Sequence, residues 1–183
     1  LRKLRKSSRP NGARHGRDGG TPWDPAARWY DALVGADGSA YQKDILMPES
    51  LRLLDVKPGQ RVLDLACGQG VFSRYLSKAG MRVVGLDSSR ELIQFAGKRS
   101  SGGMQFHVGD AGAPEVLKGE MFDRVVCLMA VQNMEDIEPV FRNVAGWIGS
   151  KGNFLFVITH PCFRIPRQTH WGWDEEKKIE YRR

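Results

Sequence analysis

Arg61-Val62-Leu63-Asp64-Leu65-Ala66-Cys67-Gly68-Gln69-Gly70-Val71-Phe72-Ser73 is the stretch that decides the fold. It opens with a six-residue apolar run broken only by Asp64, follows the turn Lys57-Pro58-Gly59-Gln60, and ends on a glycine pair. That is a buried strand delivering the chain into a tight loop. A helix should start at Val71, since Val71, Phe72, Tyr75, Leu76 and Ala79 share one helical face and Gly80 can close it in a left-handed conformation. The same alternation spreads outward. Residues 82–87 form a second strand, and Ser88-Ser89-Arg90-Glu91 has the spacing of a capping box for a helix carrying Leu92, Ile93, Phe95 and Ala96. Residues 104–108 and 122–129 read as strands three and four. Asp136 is placed to cap a helix with Pro139 in its first turn, Ile137, Val140, Phe141, Val144 and Ile148 inward, and Gly149 at its end. Residues 153–159 are the fifth strand. This rhythm predicts a doubly wound, Rossmann-like, mostly parallel sheet in a three-layer α/β/α arrangement, with helices upstream at residues 23–33 and 42–54.

The chain has 183 residues, 41% hydrophobic and 27% charged, enough for one core with tails. No apolar stretch is long enough to span a bilayer. The formal net charge is +7, and seven basic residues with no acid fall within residues 1–17, so the remainder is formally neutral. Attraction to nucleic acid or an anionic surface is thus confined to an arm and absent from the domain. Three cysteines far apart, Cys67, Cys127 and Cys162, with no CxxC pair and no HxxxH pattern, predict neither a disulfide frame nor a metal site and suit the cytoplasm.

In such sheets ligands bind outside the carboxyl ends of the strands. Gly68 and Gly70 let the backbone approach a ligand there; Asp87, ending the second strand, can accept hydrogen bonds from vicinal ribose hydroxyls; Asp110, ending the third, can accept from an exocyclic amine. A dinucleotide site would use similar parts. Against it, Ser73 stands where the third glycine or alanine of GxGxxG belongs, and Asp64 is unlike that fingerprint.

With Val62-Leu63-Asp64-Leu65-Ala66-Cys67-Gly68-Gln69-Gly70 followed by Asp87 and Gly109-Asp110-Ala111, the chain resembles the class I S-adenosylmethionine-dependent methyltransferases, of the type 11/25 kind. The resemblance implies S-adenosylmethionine as cofactor and S-adenosylhomocysteine as product. Ala66, Cys67, Gly68 and Gly70 would surround the methionine part, Asp64 would order its amino group, Asp87 with Ser88 would hold the ribose, and Asp110 with Ala111 the adenine. Met129 and Gln132 would line the opposite side. The segment from Ile158 to Asp174 looks like that of a bacterial-type branch of the family and indicates no particular substrate.

The family reaction is an in-line displacement onto an O or N atom, expected here on a small molecule. Only a hydroxyl acceptor would need a general base. His160, ending the fifth strand, is the candidate base; His170 and Trp171 are candidate acceptor contacts in a lid. Cys162 is a poor nucleophile candidate, because the fourth strand lacks a Pro-Cys pair. That strand runs on into Ala130-Val131-Gln132-Asn133, without the Asn-Pro-Pro-aromatic pattern of base amino methylation, so a nucleic-acid acceptor loses ground. The competing readings are a methyltransferase-like cofactor-binding module without catalysis and, on the basic arm alone, a nucleic-acid methyltransferase.

The expected division is a disordered basic tail at 1–20, an N-terminal helical cap at 21–56, the cofactor-binding domain at 57–160, and a lid, or the start of a further C-terminal part, at 161–183. Only 24 residues follow Thr159, few for the family's last helix and antiparallel hairpin. The expectation is a sheet lacking that hairpin, with an exposed fifth-strand edge that invites self-association.

Overall fold

A computed structural model describes residues 21–160 except Gly102, and residues 171–182 except Lys178. Five parallel strands, β1 (Arg61–Leu65), β2 (Arg82–Asp87), β3 (Gln105–Val108), β4 (Phe122–Leu128) and β5 (Ile148–Val157), lie in the order β3-β2-β1-β4-β5. The strand order reverses between β1 and β4, which are paired through Leu63–Val125 and Asp64–Val126. Four α-helices, α1 (Ala27–Val34), α2 (Met47–Leu54), α3 (Val71–Lys78) and α4 (Arg90–Arg99), precede β3. The fifth, α5 (Glu138–Trp147), joins β4 to β5.

Alternate residues of the central strands feed two cores. Val62, Val83 and Val126 pack with Leu54, Phe72 and Leu76 on one face. Leu63, Leu65, Val84, Leu86, Val125 and Cys127 pack with Val140, Val144 and Trp147 on the other. Burial on both faces explains why β1, β2 and β4 read as almost unbroken apolar runs. None of the described helices is long and apolar enough to cross a membrane.

Several boundaries differ from the sequence reading for identifiable reasons. The cap of α4 is Ser89, whose Oγ accepts the Leu92 N–H at 3.2 Å, one residue later than the Ser88 box, while Ser88 is exposed. Residues 21–26 form turns ahead of α1, with the Thr21 N–H donating to Asp24 Oδ2 at 2.8 Å. The second upstream helix starts as a π-helical turn, Gln42–Leu46, before α2. Pro48 has no N–H for the Asp44 carbonyl and its ring displaces that group, which accounts for the widened turn. Asp136 accepts the Glu138 N–H at 3.1 Å, but the cap position of α5 falls on Ile137. Strand β5 starts at Ile148, not residue 153, because the glycine-rich stretch 149–152 is absorbed as a register shift between the Phe122–Ile148 and Arg124–Asn153 pairs.

Residues 171–182 also pair. Strands β6 (Trp171–Asp174) and β7 (Ile179–Arg182) form an antiparallel two-stranded sheet of their own, apart from the five-stranded sheet, which lacks an added hairpin among the described residues. Among the described residues no strand pairs with the outer edge of β5, near which Phe156 and Ile158 are exposed.

Candidate donor site at the switch point

The backbone is forced into the left-handed region at the carboxyl ends of the two strands that flank the reversal. Ala66 has φ +56° and Met129 φ +57°, both costly for residues with a Cβ, while Gly68 (+55°) and Gly70 (+76°) turn the intervening loop. The Cys67 N–H still donates to the Leu86 carbonyl at 3.1 Å, so the loop leaves the sheet only after that bond. A side chain added at Gly68 would point under the ring of Tyr30, 3.7 Å away, with nothing else near it. One added at Gly70 would meet Ala96 and Phe106 at 3.1 Å, so Gly70 serves packing between loop, helix and sheet.

Two buried carboxylates face this loop. Asp87 ends β2; its Oδ2 accepts the Gly68 N–H and its Oδ1 the Ser89 N–H, both at 2.8 Å. Burial raises its pKa, against the pull of these two hydrogen bonds. Each oxygen keeps lone-pair capacity for a further donor. Asp64, 2% exposed within β1, accepts the Ser73 hydroxyl at 2.6 Å. Its pKa is pushed up to about 7 by burial, opposed by the Ser73 bond and reinforced by the charge of Asp87. The same burial, with the two carboxylates, pushes the Cys67 thiol far up, so it is a packing group and not a thiolate.

Across the switch point, the Met129 N–H donates to the Val157 carbonyl at 2.7 Å, and the Met129 carbonyl accepts the Gln132 side-chain N–H at 2.7 Å. That bond settles the orientation of the amide and leaves Gln132 Oε1 buried without a partner. At the third strand end, Asp110 is exposed and closes a turn by accepting the Gly112 N–H at 2.8 Å. The carbonyl of Ala111 is held by Asn143 Nδ2 at 2.8 Å.

The structure therefore brings Asp64, Ala66, Cys67, Gly68, Gly70 and Asp87 together, with Met129 and Gln132 on the neighbouring strand end and Asp110 and Ala111 one strand beyond Asp87. His160 is exposed just past β5, separated from β1 by β4. His170 lies outside the described residues, and Trp171 contributes backbone to β6.

Sequence reading missed Ser73 as the partner of Asp64 and Asn143 as the anchor of the Ala111 turn; Tyr30, one of four upstream aromatics able either to cover a cleft or to pack on the sheet edge, lies over Gly68, its phenol pKa raised by burial and by the charges of Asp87 and Asp64. Ser73 had been visible only as a break in the glycine pattern. Nothing local could have revealed Asn143.

This rim, with buried acids at the point where strand order reverses, defines a doubly wound nucleotide-binding domain. Residues 62–152 match the family profile described as "Methyltransferase domain". Phosphoethanolamine N-methyltransferase 1 of Zea mays is 33% identical over 129 residues, 68% of this chain and 25% of that protein. A ubiquinone biosynthesis O-methyltransferase of Xanthomonas campestris is 29% identical over 140 residues, 73% of this chain and 56% of that one. The chain thus spans between a quarter and just over half of these curated relatives. An S-adenosylmethionine-dependent methyltransferase from Mesorhizobium loti superposes with a TM-score of 0.63 at 27% identity, covering 81% of this chain and 66% of that one. The chain belongs to the class I S-adenosylmethionine-dependent methyltransferases.

Proposed function

We propose that this chain binds S-adenosylmethionine at the carboxyl ends of β1, β2 and β3 and transfers its methyl group to an N or O atom of a small-molecule acceptor. The carrying observation is the tie between Asp87 and the Gly68 N–H at 2.8 Å, which sets a carboxylate suited to ribose hydroxyls against the glycine loop after β1. The reading is also supported by Gly68, which packs beneath Tyr30 without a side chain of its own, and by the unpartnered Gln132 Oε1, an acceptor with no donor among the described residues.

S-adenosylmethionine supplies a methyl group activated on a sulfonium. The chain's own residues hold and orient. Asp87, with Ser88 beside it, takes the ribose hydroxyls; Asp64 takes the amino group, directly or through water. Ala66, Cys67, Gly68 and Gly70 surround the methionine end, Asp110 and the Ala111 backbone receive adenine, and Met129 and Gln132 form the opposite wall. Tyr30 excludes water from above. An amine acceptor that arrives deprotonated then needs only orientation, whereas a hydroxyl acceptor would call on His160 as base. The small-molecule reading is supported by the formally neutral domain, by Ala130-Val131-Gln132-Asn133 after β4, and by N- and O-methyltransferases among the relatives. In this reading residues 21–56 cap the donor domain at 57–160, and His170 and Trp171 belong to an acceptor lid within residues 161–183.

Thermal unfolding with S-adenosylhomocysteine, with NAD as control, tests the donor site. At 100 times its dissociation constant the ligand should add about 2.7 kcal/mol of stability. A cooperative melt unmoved by S-adenosylhomocysteine would refute the proposal.

A further inference from the structure

Gln69 stands between the two loop glycines, yet its side chain turns away from the space under Tyr30. It is 1% exposed, and both ends of its amide are used by the N-terminal cap and its anchors. Nε2 donates to the Gly35 carbonyl at 3.1 Å, and Oε1 accepts from Arg99 Nη1. That same guanidinium, on the last residue of α4, grips the carboxylate of Asp31, with Nη2 at 2.7 Å from Oδ2 and Nη1 on Oδ1. Arg74 adds a second tie, donating to the Gln69 carbonyl at 2.7 Å and to the Ala36 carbonyl at 2.6 Å. At the other end of the cap, Asp24 Oδ1 accepts the Ser89 hydroxyl at 2.7 Å.

These contacts converge on one side chain. Tyr30 precedes Asp31 in α1, lies over Gly68, and is braced edge-on by Trp23 at a ring separation of 5.8 Å. A cap held only by its own helix would be free to lift, because α1 has eight residues and buries only Ala27 and Val34. The Arg99 fork supplies what the short helix lacks. It spans two partners at once, which a lysine ammonium cannot do with comparable geometry.

We infer that Arg99 is a positioning residue for the methyl donor: clasping Asp31 and Gln69 together, it holds Tyr30 closed over the Gly68 loop, so the donor leaves only when the clasp opens. This rests on the donor site proposed above. The clasp makes no donor contact; it acts on residence time through Tyr30.

The test is stopped-flow binding and release of S-adenosylhomocysteine, followed by intrinsic tryptophan and tyrosine fluorescence, on the wild-type chain, Arg99→Ala, Arg99→Lys, Gln69→Leu and Asp87→Ala. Cooperative melting is checked for each. Arg99→Ala should raise the dissociation rate at least tenfold with a smaller change in association rate. Gln69→Leu, which cuts the clasp from the loop side, should do the same if Arg99→Ala fails to fold. Arg99→Lys should recover part of the loss, and the double exchange Asp31→Arg with Arg99→Asp should recover more than either single change. Dissociation rates within twofold of wild type in folded Arg99→Ala or Gln69→Leu, alongside at least tenfold weaker binding in Asp87→Ala, would overturn the clasp and leave the site standing. Unchanged binding in Asp87→Ala would overturn the site and the clasp with it.

Discussion

The two ends of the sheet use their polar groups in opposite ways. At the amino end, Arg61 donates to the Met121 carbonyl at 3.0 Å, Arg82 to the Gly59 carbonyl at 3.0 Å, and Arg124 to the carbonyls of Leu54 and Asp55 at 2.9 Å. Each cation there closes a turn or satisfies the end of a helix. At the carboxyl end, Ala66 and Met129 are held at positive φ and two carboxylates are buried. Two of the three buried side-chain polar atoms without a partner among the described residues, Gln132 Oε1 and Thr159 Oγ1, lie there as well. Left-handed residues occur towards both ends, Asp55 (φ +46°) just ahead of β1 among them, and Ser100 Oγ is unpartnered ahead of β3, so what sets the carboxyl end apart is its pair of buried carboxylates beside two of the three unpartnered atoms. Buried acids and unmet hydrogen bonds persist only where surrounding structure enforces them, and their gathering on the carboxyl rim is what distinguishes the proposed donor site from the amino end, where cations close turns.

The sharpest way to break this contrast is to remove one charged group from each end. Asp87→Ala should weaken S-adenosylhomocysteine binding about a hundredfold, or about 2.7 kcal/mol, because hydrogen bonds to a buried charge are strong and the Gly68 anchor goes with them. Arg124→Ala should lower unfolding stability by about 2 kcal/mol by freeing the carbonyls that end α2, with the affinity for S-adenosylhomocysteine unchanged. Calorimetric binding and denaturant unfolding on both variants check the pair. If Arg124→Ala also cost affinity, the two ends would be coupled and the division too simple.

How much of this contrast was legible beforehand depended on the range of the interactions involved. Strands β1 and β2, with the helices after them, came out within a residue or so because two-faced burial writes a continuous apolar run and the turns carry Gly, Ser and Asp. Asp87 and Gly68 could be assigned to the same rim because strand ends in a doubly wound sheet point one way, although their direct bond could not be read. The start of β5 was hidden because Gly149, Ser150, Lys151 and Gly152 have the composition of a turn and are instead a sheet irregularity. The contacts that anchor the expected N-terminal cap to the loop after β1 were hidden more deeply. Asp24 meets Ser89 across 65 residues and Asp31 meets Arg99 across 68, and no local periodicity marks such pairs.

The unsatisfied end should also show itself in pH dependence. Asp64 has its pKa raised from 3.8 to about 7, so the folded chain holds a proton that the unfolded chain has released. Its stabilising contribution is therefore complete below the ordinary value and falls as pH rises towards 7, by up to about 1.4 kcal/mol per pH unit. Above the raised value it is gone. Asp64→Asn keeps an oxygen for the Ser73 hydroxyl and removes the titration. The stability difference between the variant and wild type should widen in the variant's favour from pH 5 to 7 and then level off. A parallel pair of stability curves over that range would mean that Asp64 is ionised throughout and that the rim is better solvated than its burial implies.

The smallest expected effect is the most specific to backbone strain. In a left-handed conformation an L-residue costs about 1–2 kcal/mol, while glycine at the same place gives back about 0.5–1 kcal/mol through the freedom of its unfolded chain. Ala66→Gly, at φ +56°, should therefore raise stability by about 0.5 kcal/mol, since relief of the strained Cβ outweighs the loss of its partial packing against the second core. The same exchange at Ala32, exposed in α1, should lower stability by about 1 kcal/mol, because there the backbone is helical and glycine only adds freedom to the unfolded chain. Opposite signs for one chemical change, read from paired thermal melts, would locate the strain at the carboxyl rim itself. If both variants lost stability, the left-handed turn at Ala66 would be carried by its neighbours without cost. The strain at this end of the sheet would then have to reside at Met129, on the far side of the switch point.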